Sequence, residues 1–208
     1  MHRFQPVVWL VLLLLAVLAS PLRAASPPPS FAVEDIVTNI DQPMTIRFFP
    51  DGRMLLGQKK GKLSICEVLG ATRNVEEYGD LDSSQHAFGI NFANERGLID
   101  VAIDPDFPAS PYIYILYTPD SGASGRKARV ARFTHVENSG GTSSRLDLSS
   151  ETLIWQDTQG YDSCCHYGGG VDFGPEGKLW VTTGDHFQGS YASSLSKAGG
   201  KVHRINKD

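Results

Sequence analysis

Helix signals are nearly absent from this chain. Of its 208 residues, only Ala192 to Lys197 reads as one short helical turn, so strands must build the fold. Extended basic runs are also missing: 23 acidic residues outweigh 19 lysines and arginines, for a formal net charge of -4. Nucleic acid and anionic membrane surfaces are therefore poor partners, and the acidic excess reads as solvated surface. After residue 18 no apolar run is long enough to span a bilayer, so no stable membrane insertion is expected. Cysteine is scarce and odd in number, with Cys66, Cys164 and Cys165 alone, so any single bridge leaves one thiol over.

The N-terminus departs from the rest. Arg3 precedes an uninterrupted apolar run from Val7 to Leu18, and small residues follow at Ala19, Ser20 and Ala24-Ala25-Ser26. Twelve apolar residues fall short of the about 20 that a spanning helix needs. Residues 1–25 read as a signal peptide cut between Ala19 and Ser26, which makes the protein secreted or periplasmic; an uncleaved anchor is the alternative. Residues 26–30, with Pro27-Pro28-Pro29, form a stiff spacer. Without Arg3 and Arg23 the balance is 17 basic to 23 acidic residues, a net charge of about -6. The folded part, 31–208, is sized for one core.

An exported protein can form disulfides. Cys66 with either other cysteine is the plain option. A Cys164–Cys165 bridge is strained, since neighbouring Cα atoms sit about 3.8 Å apart and bridges usually need about 4.4 Å. A Cys-Cys-His zinc site lacks a second ligand pair at suitable spacing.

A weak repeat sets the fold class. Met44 to Phe49, the turn Pro50-Asp51-Gly52, Met54 to Leu56 and Gly61 to Cys66 make one unit. Leu98 to Ile103, the turn Asp104-Pro105-Asp106-Phe107, Tyr112 to Tyr117 and Arg129 to Phe133 make a second. Gly170 to Phe173, the turn Pro175-Glu176-Gly177, Leu179 to Thr183 and Gly200 to Ile205 make a third. Ser121 to Gly125 and Asn138 to Ser144 read as exposed loops. Strand-only repeats of this length predict an all-β protein whose units are β-propeller blades. A β-sandwich would supply short strands but not the recurring turn chemistry. Three blades cannot close a ring, so the chain looks like the first half of a larger domain, with an open edge suited to self-association.

The densest stretch is Cys164 to Asp185, CCHYGGGVDFGPEGKLWVTTGD. His166 precedes three glycines at the mouth of a hairpin, where glycines allow tight turns and close approach. An imidazole on a rigid strand end, over a glycine floor, is a candidate proton acceptor for a flat ligand; a packed structural histidine is the bland alternative.

Three passages resemble the soluble quinoprotein glucose/sorbosone dehydrogenases: Glu95 to Phe107 with Tyr112-Ile113-Tyr114, His166 to Asp185, and Gly200 to Asn206. Gln42 to Leu63 matches that family's first blade more loosely. The resemblance implies the N-terminal half of a six-bladed β-propeller using pyrroloquinoline quinone (PQQ) and calcium, with a small-molecule sugar as substrate and an electron acceptor as partner. It places His166 as the general base that takes the sugar's hydroxyl proton. Glu95 stands near the position of a substrate-touching glutamine, and Cys165 where relatives carry an aspartate that orients the base, so both are candidate substrate-binding residues. Glu95 is then the acid available to orient His166. Another group of PQQ enzymes, the alcohol dehydrogenases, lays a ring of two neighbouring bridged cysteines against the quinone, which makes Cys164 and Cys165 candidate cofactor contacts. The family's PQQ-gripping residues and calcium loop lie in later blades, so no metal ligand is assigned here, and residues 31–208 alone are expected to be inactive. A non-catalytic propeller binding carbohydrate or protein, as hedgehog-interacting proteins do, is the rival reading. A calcium-dependent lactonase-like hydrolase is a third, with Asp185 and Glu95 as its available ligands.

Overall fold

The computed structural model describes residues 28–208 except 70–71, 84–85, 87–88, 121–125, 139–142 and 160–163. The expected signal peptide with its expected cleavage region, and the expected Ser121–Gly125 loop, lie outside the described residues. The chain divides into two compact units, Met1–Asp35 and Ile36–Asp208. Of the first, residues 28–35 are exposed, with the Phe31 N–H donating to Pro28 O at 3.0 Å.

The second unit holds three antiparallel sheets. The first contains β1 (Pro43–Phe48), β2 (Met54–Gln58), β3 (Lys62–Leu69) and β4 (Thr72–Asp80), in that order. The second contains β5 (Leu98–Ile103), β6 (Tyr112–Tyr117), β7 (Arg129–Glu137) and β8 (Ser144–Gln156). In the third, β9 (Val171–Phe173), β10 (Leu179–Thr182) and β11 (Val202–Ile205) pair in the order β11-β10-β9. The fold is therefore an all-β propeller with an incomplete ring of three blades.

The first two sheets have a fourth strand that the repeat did not show. β4 reads TRNVEEYGD and β8 SRLDLSSETLIWQ, both outer strands rich in polar residues; only Leu146 and Leu148 of β8 alternate, and β4 shows no apolar alternation. The expected loop at 138–144 ends as Ser144 opens β8. The one helical turn among the described residues, α1 (Ser190–Ser193), starts two residues before the expected stretch.

The middle sheet is buried on both faces. Five of the six residues of β6 are buried, and alternate ones serve different interfaces. Ile113, Ile115 and Tyr117 pack with Leu55, Leu63 and Phe133 toward the first sheet, whereas Tyr114 and Leu116 pack with Val171, Leu179 and Val181 toward the third. A register shift between Leu98 and Asp100 puts Leu98 and Val101 on one face and Ile99 and Ala102 on the other. Side chains such as these contribute about 1.5–3 kcal/mol each on full burial.

The outer face of the first sheet is different. Ile36, Val37 and Ile40 pack on Met54, Leu56 and Cys66, while Met44, Ile46 and Phe48 remain exposed. At the third sheet's far end, Lys207 Nζ donates to Asp104 and Asp106 at 3.0 and 3.1 Å, tying the C-terminal segment to the β5–β6 turn.

Candidate functional site

The β9–β10 hairpin makes the site. Gly174 to Lys178 is its turn, closed by Gly174 N–H to Lys178 O and Gly177 N–H to Gly174 O, with Gly177 at φ +71°. Val171 faces Val181 in register. Carried outward step for step, that register brings His166 opposite His186, whose N–H donates to His166 O at 3.1 Å. Asp185 is then the neighbour of His166 in space. Gly184 is needed at this crossing, because a Cβ there would collide with the His166 backbone.

Nδ1 of His166 lies 2.6 Å from Asp185 Oδ1, which also accepts the Phe187 N–H at 3.1 Å. The hydrogen bond from His166 is the main reason the Asp185 carboxyl titrates below its ordinary value. An ionised carboxylate keeps the ring proton on Nδ1 and leaves the Nε2 lone pair as acceptor. The imidazole is 49% exposed, and the Phe187 ring meets it edge-on at 5.3 Å.

Glu95 has a different task from the one expected of it. Its carboxylate accepts the backbone N–H of His166 rather than meeting the ring, and its own N–H donates to Cys164 O at 3.4 Å. The imidazole's carboxylate partner is Asp185, which the sequence had suggested only as a metal ligand. The register argument above was the available signal for it.

The glycine floor is also corrected. Gly168 lacks a Cβ because Ile99 Cδ1 would stand 2.7 Å from it, and Gly169 because Thr182 would collide. Gly170 N–H donates to Thr182 Oγ1 at 2.7 Å. These glycines admit side chains of the protein itself.

The cysteine pairing reverses the plain expectation. Cys164 and Cys165 are bonded to each other across Cα atoms 3.7 Å apart, and Cys66 is a buried free thiol. Cys66 sits in β3 between Met54 and Val75, on the first sheet's outer face, with its position set by strand pairing. Cys164 is exposed and Cys165 half-buried, directly ahead of His166.

These residues fit one side of a PQQ site: a half-exposed imidazole with a fixed tautomer, an exposed phenyl ring and a vicinal disulfide in adjacent sequence. Among the described residues, no group of three His, Cys, Asp or Glu side chains is placed to hold a metal ion. No helix among the described residues is long and apolar enough to cross a membrane.

Comparison with known proteins agrees with this architecture. The chain is 28% identical over 194 residues to the aldose sugar dehydrogenase YliI of Escherichia coli K12, covering 90% of this chain and 47% of that protein. It is 26% identical over 159 residues to the human Hedgehog-interacting protein, covering 74% of this chain and 22% of that one. The chain thus spans about half the length of the first relative and less of the second. The PQQ-bound aldose sugar dehydrogenase of Streptomyces coelicolor superposes with a TM-score of 0.69 at 21% identity, over 88% of this chain and 50% of that one, which shows a shared fold. The profile of the Glucose / Sorbosone dehydrogenase family matches residues 40–208, and the chain belongs to that family.

Proposed function

We propose that this chain supplies the base-bearing part of an exported, PQQ-dependent sugar dehydrogenase, with His166 as the general base. The observation that carries the reading is the His166–Asp185 hydrogen bond of 2.6 Å on a half-exposed imidazole. Nδ1 is committed to Asp185, so Nε2 is free to accept the proton of a sugar hydroxyl as the adjacent C–H bond is oxidised. Asp185 stabilises the imidazolium that forms. Glu95 holds the His166 backbone, which fixes where the ring starts. Phe187, which meets the imidazole edge-on, and Cys165 and Cys164, which directly precede His166 in sequence, are the residues proposed to contact sugar and quinone.

PQQ, when bound, would accept the hydride. The relatives whose names specify aldose oxidation or bound PQQ support that choice. Export is part of the proposal and rests on the apolar leader; N-terminal sequencing of secreted protein that still begins at Met1 would reject it.

The test joins this chain, after Asp208, to the remaining half of the E. coli dehydrogenase, since the two align over 90% of the present chain. With PQQ and calcium, aldose-dependent dye reduction should appear and should collapse in His166→Ala. A folded hybrid that binds carbohydrate or protein without turnover would favour a binding module instead. Turnover undiminished in His166→Ala would remove His166 from the reaction.

A further inference from the structure

A second histidine–carboxylate pair lies behind the first. Nε2 of His186 stands 2.6 Å from Asp157 Oδ2, and both side chains are completely buried. We infer that Asp157 and His186 are positioning residues, which lock the backbone around Asp185 so that its carboxylate meets Nδ1 of His166. The inference rests on the reading of His166 as the base.

Backbone geometry is the first support. His166, His186 and Phe187 all have positive φ, at +63°, +55° and +61°. Non-glycine residues disfavour this region and stay there only when their surroundings over-determine them. Two of the three flank Asp185 directly on its C-terminal side.

Asp157 is well placed to impose that conformation because it is anchored elsewhere. It follows β8 of the second sheet, its N–H donates to Ala128 O at 2.9 Å, and its Oδ1 accepts the Gln159 N–H at 3.1 Å. It is therefore a fixed post belonging to one blade, and His186 is the loop residue of the next blade that hangs from it.

The ring itself is wedged. Tyr167 meets it edge-on at 5.2 Å, and a Cβ on Gly199 would come within 2.9 Å of its Cδ2. The Arg96 guanidinium covers the Tyr167 ring at 5.3 Å. With its ring held, the His186 N–H reaches His166 O and the Phe187 N–H reaches Asp185 Oδ1. Both backbone donors that follow Asp185 are thereby spent on the site. Releasing the ring frees the 186–187 backbone to leave the left-handed region and carries Asp185 off His166.

The test is made on the full chain without cofactor or sugar. Histidines are labelled with ¹⁵N, the His166 resonances are identified by their loss in His166→Gln, and the hydrogen-bonded Nδ1–H tautomer is followed by NMR. Asp157→Asn keeps an acceptor for His186 and should retain the His166 signature. Asp157→Ala should lose it. The double variant Asp157→Leu with His186→Phe fills the space and keeps the ring against Tyr167 but removes the hydrogen bond. It should remain folded by circular dichroism and still lose the signature. A folded double variant with the His166 Nδ1–H tautomer intact would overturn the inference, and so would a double variant that cannot fold, since the pair would then support the whole blade. An inactive-base result for His166 would defeat the proposed function without moving any of these signals.

Discussion

The guanidinium of Arg47 lies 2.8 Å from the carboxylate of Asp100 and joins the edge strands of the first two sheets. The same carboxylate accepts Thr45 Oγ1 at 2.5 Å and the Val171 N–H at 3.0 Å. One buried side chain thus touches β1, β5 and β9, the first strand of each sheet. Removing one partner of a buried charge network costs far more than the network's net contribution, because the others lose their counter-charge.

Asp100→Ala is therefore expected to lower unfolding free energy by about 3–5 kcal/mol, and Thr45→Val by about 1 kcal/mol. Urea unfolding followed by tryptophan fluorescence measures both. Equal, small effects would mean that the three edges are held by their apolar faces alone.

At the site, His166→Ala in the completed hybrid should lower kcat by about 10² to 10⁴, with a much smaller change in KM. Asp185→Asn should reduce kcat by less, because the ring stays in place while its tautomer preference is lost. Steady-state dye reduction separates the two parameters. A rise in KM at constant kcat would assign both residues to sugar binding only.

The cysteines give a covalent prediction. Non-reducing peptide mapping should find Cys164 linked to Cys165 and a single thiol at Cys66. Burial pushes the Cys66 thiol above its ordinary value, so it should alkylate only after unfolding. A Cys66 bridge to either neighbour would contradict the structure.

Acid should weaken the contact between the first two sheets. Burial works to raise the Glu137 carboxyl, but hydrogen bonds from Arg53 and His135 outweigh it and hold it below its ordinary value of 4.5. Burial also raises the Tyr78 phenol, which stays protonated to meet His135 Nδ1 at 2.9 Å. A carboxyl with a depressed folded-state pKa contributes stability above its unfolded value and loses it as pH falls through the folded one. The melting temperature should thus drop below about pH 4.5, and Glu137→Gln should flatten that part of the curve. An unchanged acid limb in the variant would show that Glu137 plays no part.

Much of this fold was legible locally. Turn prolines and glycines at Pro50-Asp51-Gly52 and Pro175-Glu176-Gly177 fix where hairpins reverse, and the dense apolar run Tyr112–Tyr117 marks a strand. β4 escaped because its apolar residues Val75 and Tyr78 stand three apart, and β8 because its alternation is confined to Leu146 and Leu148 at one end of a largely polar strand. His166 stood out by its place before a glycine run, yet the purpose of those glycines was not local: Ile99 and Thr182 come from other strands.

Residue order alone determined an all-β chain, the positions of its hairpins, its acidic surface and the histidine at the hairpin mouth, because turn chemistry and side-chain period act over a few residues. Tertiary structure decided the partners. It set Asp185 rather than Glu95 against the His166 ring, closed Cys164 on Cys165, and seated His186 on Asp157 from the neighbouring sheet. The two histidine–carboxylate pairs follow from strand register and sheet-on-sheet packing, which bring together groups that sequence distance hides.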